Sequence, residues 1–255
     1  MVADQGKGAR SAEGELFETA MDAIDTAEPG VPMEVALTAD EENGAAFLLM
    51  GAEGDVDKDI TFDLNGHNYL ATQAGGSAGT QTQAVHLEKD NTVVIKGGSL
   101  EAALDNPQIK MLIQNYSNLT LEDMVIDCSN NPNIQYVVSN NFGSCLIKNC
   151  TITAPSTGVA VDCWFGLLSN GLYDDGLSVT IEDSVINGNI EYGAQRQSLN
   201  RPGNEEWWEK AQLTIINSIV NGQIVNSGAG ANDQHHIVID GVRYEGELPV
   251  QFNLM

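Results

Sequence analysis

The chain has 255 residues and 42% hydrophobic content, enough for one large continuous core. Eleven Lys and Arg against 36 Asp and Glu leave a net charge of −25. Such a surface repels phosphate backbones and anionic lipid, which argues against nucleic-acid partners and membrane-surface binding, and no run approaches the ~20 apolar residues of a membrane span.

Residues 1–15, MVADQGKGARSAEGE, lack the apolar stretch of an export signal. In residues 14–27, GELFETAMDAIDTA, Leu16, Phe17, Ala20, Met21 and Ile24 fall at helical spacing, and Pro29-Gly30 stops the pattern. This predicts an amphipathic helix that lids the first end of whatever follows. Extended segments around 33–37 and 46–50 lead onward, so 1–57 reads as tail, capping helix and lead-in strands, and 58–255 as the main body.

That body repeats. FDLNGHNY (62–69), VVIKGGSL (93–100), LTLEDMVI (119–126), CLIKNCTI (145–152), VTIEDSVI (179–186), LTIINSIV (213–220) and IVIDGVRY (237–244) align with starts 31, 26, 26, 34, 34 and 24 residues apart. A unit of this length points to stacked repeats. The first, third and eighth positions are apolar in every copy apart from Cys145, and the first and third share a face of a strand. The fifth is Gly66, Gly97, Asp123, Asn149, Asp183, Asn217 or Gly241, residue types that tolerate a left-handed backbone. Each copy therefore reads as strand, sharp turn, strand. VINGNIEY (185–192), IVNGQIVN (219–226) and YEGELPVQF (244–252) add a further turn and a third strand. A hairpin at each Asn-Gly would not produce matching columns, and a β-sandwich would give alternation without column identity. Three short strands per winding, each pairing in parallel with its equivalent one winding on, explain both. The expected class is all-β, a single-stranded parallel β-helix of about seven to eight coils with a short N-terminal capping α-helix.

ITFDLNGHNY (60–69) resembles the strand-turn motif of right-handed parallel β-helix proteins of the pectin-lyase-like superfold. It is most similar to non-catalytic repeat regions of phage structural or adhesion proteins and of bacterial surface proteins. The resemblance spans about 58–255 and implies the right-handed fold. It does not fix a function, because the superfold hosts lyases, hydrolases, adhesins and spacers.

The enzymes of that superfold need recognisable groups, and the sequence offers few. Asp174 and Asp175 in YDDG (173–176) match one piece of a polygalacturonase-like set, but the His and Arg-x-Lys pieces are missing, and an acidic pair before Gly is the composition of a solvated turn. His67, His86, His235 and His236 are scattered, and neighbours on a strand point to opposite faces, so no metal site and no cofactor are expected. Cys128, Cys145, Cys150 and Cys163 are too few and irregular for a disulfide framework or a zinc site, and buried thiols are expected. The insertion EYGAQRQSLNRPGNEEWWEK (191–210) is longer than a turn requires and carries Trp207, Trp208, Arg196 and Arg201. Trp with Arg is a composition of protein interfaces, and Trp also stacks on sugar rings. Trp164 and Tyr173, on the loop 164–176, extend that candidate surface. At the C-terminus LPVQFNLM follows an apolar strand with no lid, so Phe252, Leu254 and Met255 are expected either to plug the last winding themselves or to dock another subunit.

The expectation is a non-enzymatic structural and attachment module. Its first setting is a phage virion, as a capsid decoration, head-fibre or tail-associated protein with protein partners or further copies of itself. The second is a bacterial cell-surface adhesin or glycan-binding module, and the third a polysaccharide lyase or hydrolase.

Overall fold

The computed structural model describes residues 8–51, 54–76, 80–141, 143–165, 178–194, 212–226 and 237–244. Two strands, β1 (Ala9–Ser11) and β2 (Leu16–Phe17), precede a helix, α1 (Ala20–Ile24). The strands that follow are β3 (Pro32–Leu37), β4 (Glu41–Gly44), β5 (Phe47–Leu49), β6 (Asp59–Asp63), β7 (Asn68–Ala71), β8 (Gln83–Leu87), β9 (Thr92–Ala102), β10 (Met111–Asn115), β11 (Asn118–Asp127) and β12 (Tyr136–Asn141). Then come β13 (Ser144–Lys148), β14 (Thr151–Thr153), β15 (Val159–Phe165), β16 (Ser178–Glu182), β17 (Val185–Asn187), β18 (Asn189–Ala194), β19 (Gln212–Ile216), β20 (Ile219–Asn221), β21 (Ile224–Asn226), β22 (Ile237–Ile239) and β23 (Val242–Tyr244). The fold is all-β with parallel sheets.

The first sheet runs β2-β1-β3-β6-β9-β11-β13-β16-β19-β22-β23, with β4, β7, β14, β17 and β20 joined alongside; the second runs β21-β18-β15-β12-β10-β8-β5. From β3 to β22 the chain alternates between the sheets, so neighbouring strands come from successive repeats. The pairing is parallel throughout that span. Antiparallel pairs close both ends of the first sheet: β1 and β2 beyond β3, and β23 beyond β22. An unpaired sheet edge invites pairing with another chain, and these strands occupy the two edges of the run.

Period-two patterning builds the interior. One buried or half-buried column runs Met33, Ile60, Val93, Leu119, Cys145, Val179, Leu213, Ile237. A second runs Val35, Phe62, Ile95, Leu121, Ile147, Ile181, Ile215, Ile239, all buried. After the turn, Ile126, Ile152, Ile186 and Val220 form a third. In the second sheet Phe47, Val85, Ile113, Val138, Val161, Ile190 and Ile224 line up in the same way. Each side chain thus lies over its equivalent, and Phe62 also meets Phe47 and Tyr69 edge to face at 6.2 and 5.4 Å between ring centroids.

Four sequence expectations are corrected. The helix covers Ala20–Ile24 rather than 14–27. Leu16 and Phe17 are in a strand against β1, after a turn at Gly14 with φ +89°. Thr19 then starts the helix through a capping box with Asp22. The first repeat is offset by two residues: Ile60 and Phe62, not Phe62 and Leu64, lie under Val93 and Ile95. Its turn is longer, with Asn65 and Gly66 both at positive φ, whereas later copies have one such residue, Asp123, Asn149, Asp183 or Asn217. The columns also begin earlier than expected, at β3, within the segment read as a lead-in. In the last copy Asp240 and Gly241 both take positive φ, and β23 folds back on β22 so that Tyr244 pairs with Ile237. Two consecutive left-handed residues make the tight turn of a hairpin, and Tyr244 does not continue the eighth-position column.

A polar face on the second sheet as candidate functional site

Strands of the second sheet bury both faces: β8 has no exposed position, and β10 and β12 are buried at all but their ends. One face carries the apolar column from Phe47 to Ile224. Residues on the other face fall into three rows, because positions two apart on a strand share a face. Ala84, Leu112, Val137 and Ala160 form a fully buried apolar row. Beside it runs a polar row, His86, Gln114, Ser139, Asp162 and Glu191, continued at its ends by Leu48 and Val225. The third row is Glu88, Tyr116, Asn141, Trp164 and Gly193; the first four of these are half-buried, so the polar row meets solvent along that side.

The rows are tied together. His86 Nδ1 lies 3.2 Å from Gln114 Oε1, and Gln114 Nε2 donates to the Tyr116 hydroxyl at 3.2 Å. The His86 and Tyr116 rings sit 5.6 Å apart. Ser139 Oγ donates to Asp162 Oδ2 at 3.0 Å, and Asn141 Nδ2 reaches Ser139 Oγ at 3.4 Å. His86 is 1% exposed and its Nε2 has no hydrogen-bond partner; the nearest acidic oxygen, Glu88 Oε1, is 3.6 Å away.

Burial dominates the acid chemistry of this face. It pushes Asp162 up to about 7, the Ser139 hydrogen bond pulls the other way, and the neighbouring Glu191 carboxylate adds to the rise. Burial raises Glu191 as well. Tyr136, at the start of β12, is raised by burial and then by Glu191 and Asp162. For Tyr116 burial again dominates, with Asn141 opposing it and Glu88 adding to it. None of the three rows contains a Lys or Arg. Asp162 can therefore hold a proton near neutral pH, beside a second carboxylate one strand away.

Of the candidate residues read from the sequence, Trp164 is brought onto this face, paired between Asn141 and Gly193. Tyr173, Asp174, Asp175, Arg196, Arg201, Trp207, Trp208, Phe252, Leu254 and Met255 lie outside the described residues. The four cysteines are free and buried. Among the described residues no cluster of three or more His, Cys, Asp or Glu is placed to hold a metal ion.

Sequence reasoning missed the polar row, although its signal was present. AVHL, LIQN, VVSN, AVDC and IEY each place a polar side chain directly after the apolar residue of the inward column. The segments joining them to the preceding strands differ in length, so aligning on the first strand and turn left them out of register. Comparison of the chain with protein-family models, with curated proteins and with solved structures finds no match.

Proposed function

We propose that the chain is a right-handed parallel β-helix serving as a non-enzymatic structural and attachment module, with the half-buried row of Tyr116, Asn141 and Trp164 on its second sheet as the attachment surface. The observation that carries this reading is the unbroken register of two apolar columns from Met33 and Val35 to Ile237 and Ile239. Strands that pair only with the next repeat, residue over residue, make a stiff body that transmits load along the stack. The first setting proposed is a virion component with capsid, tail or like-chain partners, in line with the fold resemblance. A cell-surface adhesin is the second, favoured by Trp164, Tyr116 and Asn141 standing together on one half-exposed row. Both settings use the same rigid body and the same face.

Small-angle scattering should return the profile of a rod, and a compact sphere would overturn the architecture. Incubation with pectin-like polysaccharides should release no reducing or unsaturated ends. Release that disappears in Asp162→Asn would instead make the Asp162–Glu191 pair a catalytic one.

A further inference from the structure

The outward side of the first sheet is close to charge balance in a chain of net charge −25. Positions two apart on a strand share a face, so β6, β9, β11, β13, β16 and β19 present rows there. The middle row is Thr61, Val94, Thr120, Leu146, Thr180 and Thr214, uncharged throughout. On one side of it stand Thr92, Asn118, Ser144 and Ser178, also uncharged. On the other run Asp63, Lys96, Glu122, Lys148 and Glu182, alternating in sign. None of these residues is buried, and no register shift interrupts the pairing from β6 to β19, so the side is open and regular along its length. Lys96 Nζ is 3.4 Å from Asp63 and 3.2 Å from Glu34. Among the described residues Glu122, Lys148 and Glu182 make no ion pair.

We infer that this side is the contact face between two copies of the chain, packed antiparallel about a two-fold axis that runs along the strands between β11 and β13. A two-fold contact brings one patch against itself, and an alternating row matches itself when reversed about a point between two rungs. Lys96 then faces Glu182 of the second copy and Glu122 faces its Lys148. The axis repeats both contacts, which makes four ion pairs. In the middle row Thr120 faces Leu146, Val94 faces Thr180 and Thr61 faces Thr214, so no charge is trapped there. An axis through a rung would set like charge on like. An axis along the stack of strands would set the charged row against the uncharged one. An axis one step earlier, between β9 and β11, would leave Glu182 without a cation and ask Asp63, already on Lys96, to hold Lys148. Elsewhere two such acidic surfaces repel, whereas three acids here meet two lysines. Six strands ~4.8 Å apart carrying three rows ~6.7 Å apart cover roughly 500 Å² per copy, at the low end for a specific interface, so the dimer is weak and reversible. The inference goes beyond the attachment reading. It needs only the observed register and leaves the Tyr116–Trp164 row on the other sheet free.

Sedimentation velocity from about 10 to 500 µM spans the range in which an interface of this size associates, and the natural chain should move from monomer toward dimer across it. Lys148→Glu and Glu122→Lys should each weaken the dimer about tenfold or more, because each sets like charges face to face. Net charge alone would act oppositely in the two, adding to the repulsion in the first and relieving it in the second. An equimolar mixture of the two variants should dimerise as the natural chain does, since every contact again joins Glu to Lys, and a misfolded chain could not restore it. Leu146→Asn, half-exposed in the middle row, should also weaken the dimer with the charged row intact, and Glu101→Lys, exposed on another side, should not weaken it. A natural chain that stays monomeric throughout would overturn the inference. So would a dimer unchanged in both reversals and in Leu146→Asn, or a mixture that stays monomeric although each variant keeps its circular dichroism spectrum.

Discussion

Stacking equivalent residues ~4.8 Å apart concentrates like charge, and individual side chains are chosen against it. At the sharp turn Asp123, Asn149, Asp183, Asn217 and Asp240 alternate acid with amide. Asn149 Nδ2 donates to Asp123 Oδ1, Asn217 Nδ2 donates to Asp183 Oδ1, and the Asn217 backbone N–H donates to Asp240 Oδ1 at 2.8 Å. On the neighbouring strand face Asp63, Lys96, Glu122, Lys148 and Glu182 alternate in sign, with Lys96 Nζ 3.4 Å from Asp63 and 3.2 Å from Glu34. Asn149→Asp keeps the size and the left-handed backbone but puts three carboxylates in line. Each like-charge contact costs about 1 kcal/mol in a water-like medium at this spacing. The variant should therefore unfold at lower urea at pH 7 and recover most of the difference in high salt.

The cysteines make a second case at this scale. Cys150 Sγ donates to Lys148 O, as Ser184 Oγ donates to Glu182 O and Ser218 Oγ to Ile216 O. Cys150 occupies a hydroxyl position in its repeat, and Cys150→Ser should leave the unfolding midpoint unchanged or raise it. Cys145 belongs to the apolar column, and burial drives its thiol well above the ordinary range, with Cys150 adding to the rise. Cys145→Ser should cost about 1–3 kcal/mol, because its hydroxyl is buried where a thiol packed.

For the strands, the decisive quantity is the volume each side chain fills between its two neighbours in a column. Leu121 is fully buried with Ile95 on one side and Ile147 on the other. Leu121→Ala should cost about 2–5 kcal/mol, seen as a lower denaturant midpoint. The columns were legible because period-two burial and a left-handed turn residue leave a mark in every copy. The offset in the first copy was not, because Leu64 is itself buried and apolar, and one residue string cannot show that the turn has absorbed two positions. The short helix was misjudged for a related reason. Leu16 and Phe17 sit at helical spacing, yet the backbone pairing with β1 takes them. The polar row was legible in principle, since every strand of the second sheet from β8 to β18 carries it. What remained hidden was that its face is buried, which follows from packing between elements rather than from any local pattern.

On the scale of the whole molecule, a net charge of −25 sets a background of self-repulsion that salt should relieve. Two opposing pH effects are laid over it. Asp40 is held below its ordinary range chiefly by the Asn68 amide and then His67, and Asp127 by the Ser129 hydroxyl and amide. Acids lowered in this way contribute stability above the unfolded value, and lose it as pH falls through the folded one. Asp162 has the opposite sign. Its folded pKa of about 7 lies above the ordinary 3.8, with Ser139 and Tyr136 on β12, Glu191 on β18 and Cys163 on its own strand as the described titratable and polar neighbours. Between those values the native chain keeps a proton that the unfolded chain has released, so stability is full below about pH 4 and declines as pH rises toward 7. At about 1.4 kcal/mol per pH unit, the decline amounts to a few kcal/mol. Asp162→Asn keeps the shape of the protonated acid and removes the titration. Its urea midpoint should change less between pH 5 and pH 8 than that of the natural sequence, and the two proteins should differ most at pH 8, where the variant is the more stable. Equal pH dependence in the two would mean that Asp162 is not the group that keeps its proton.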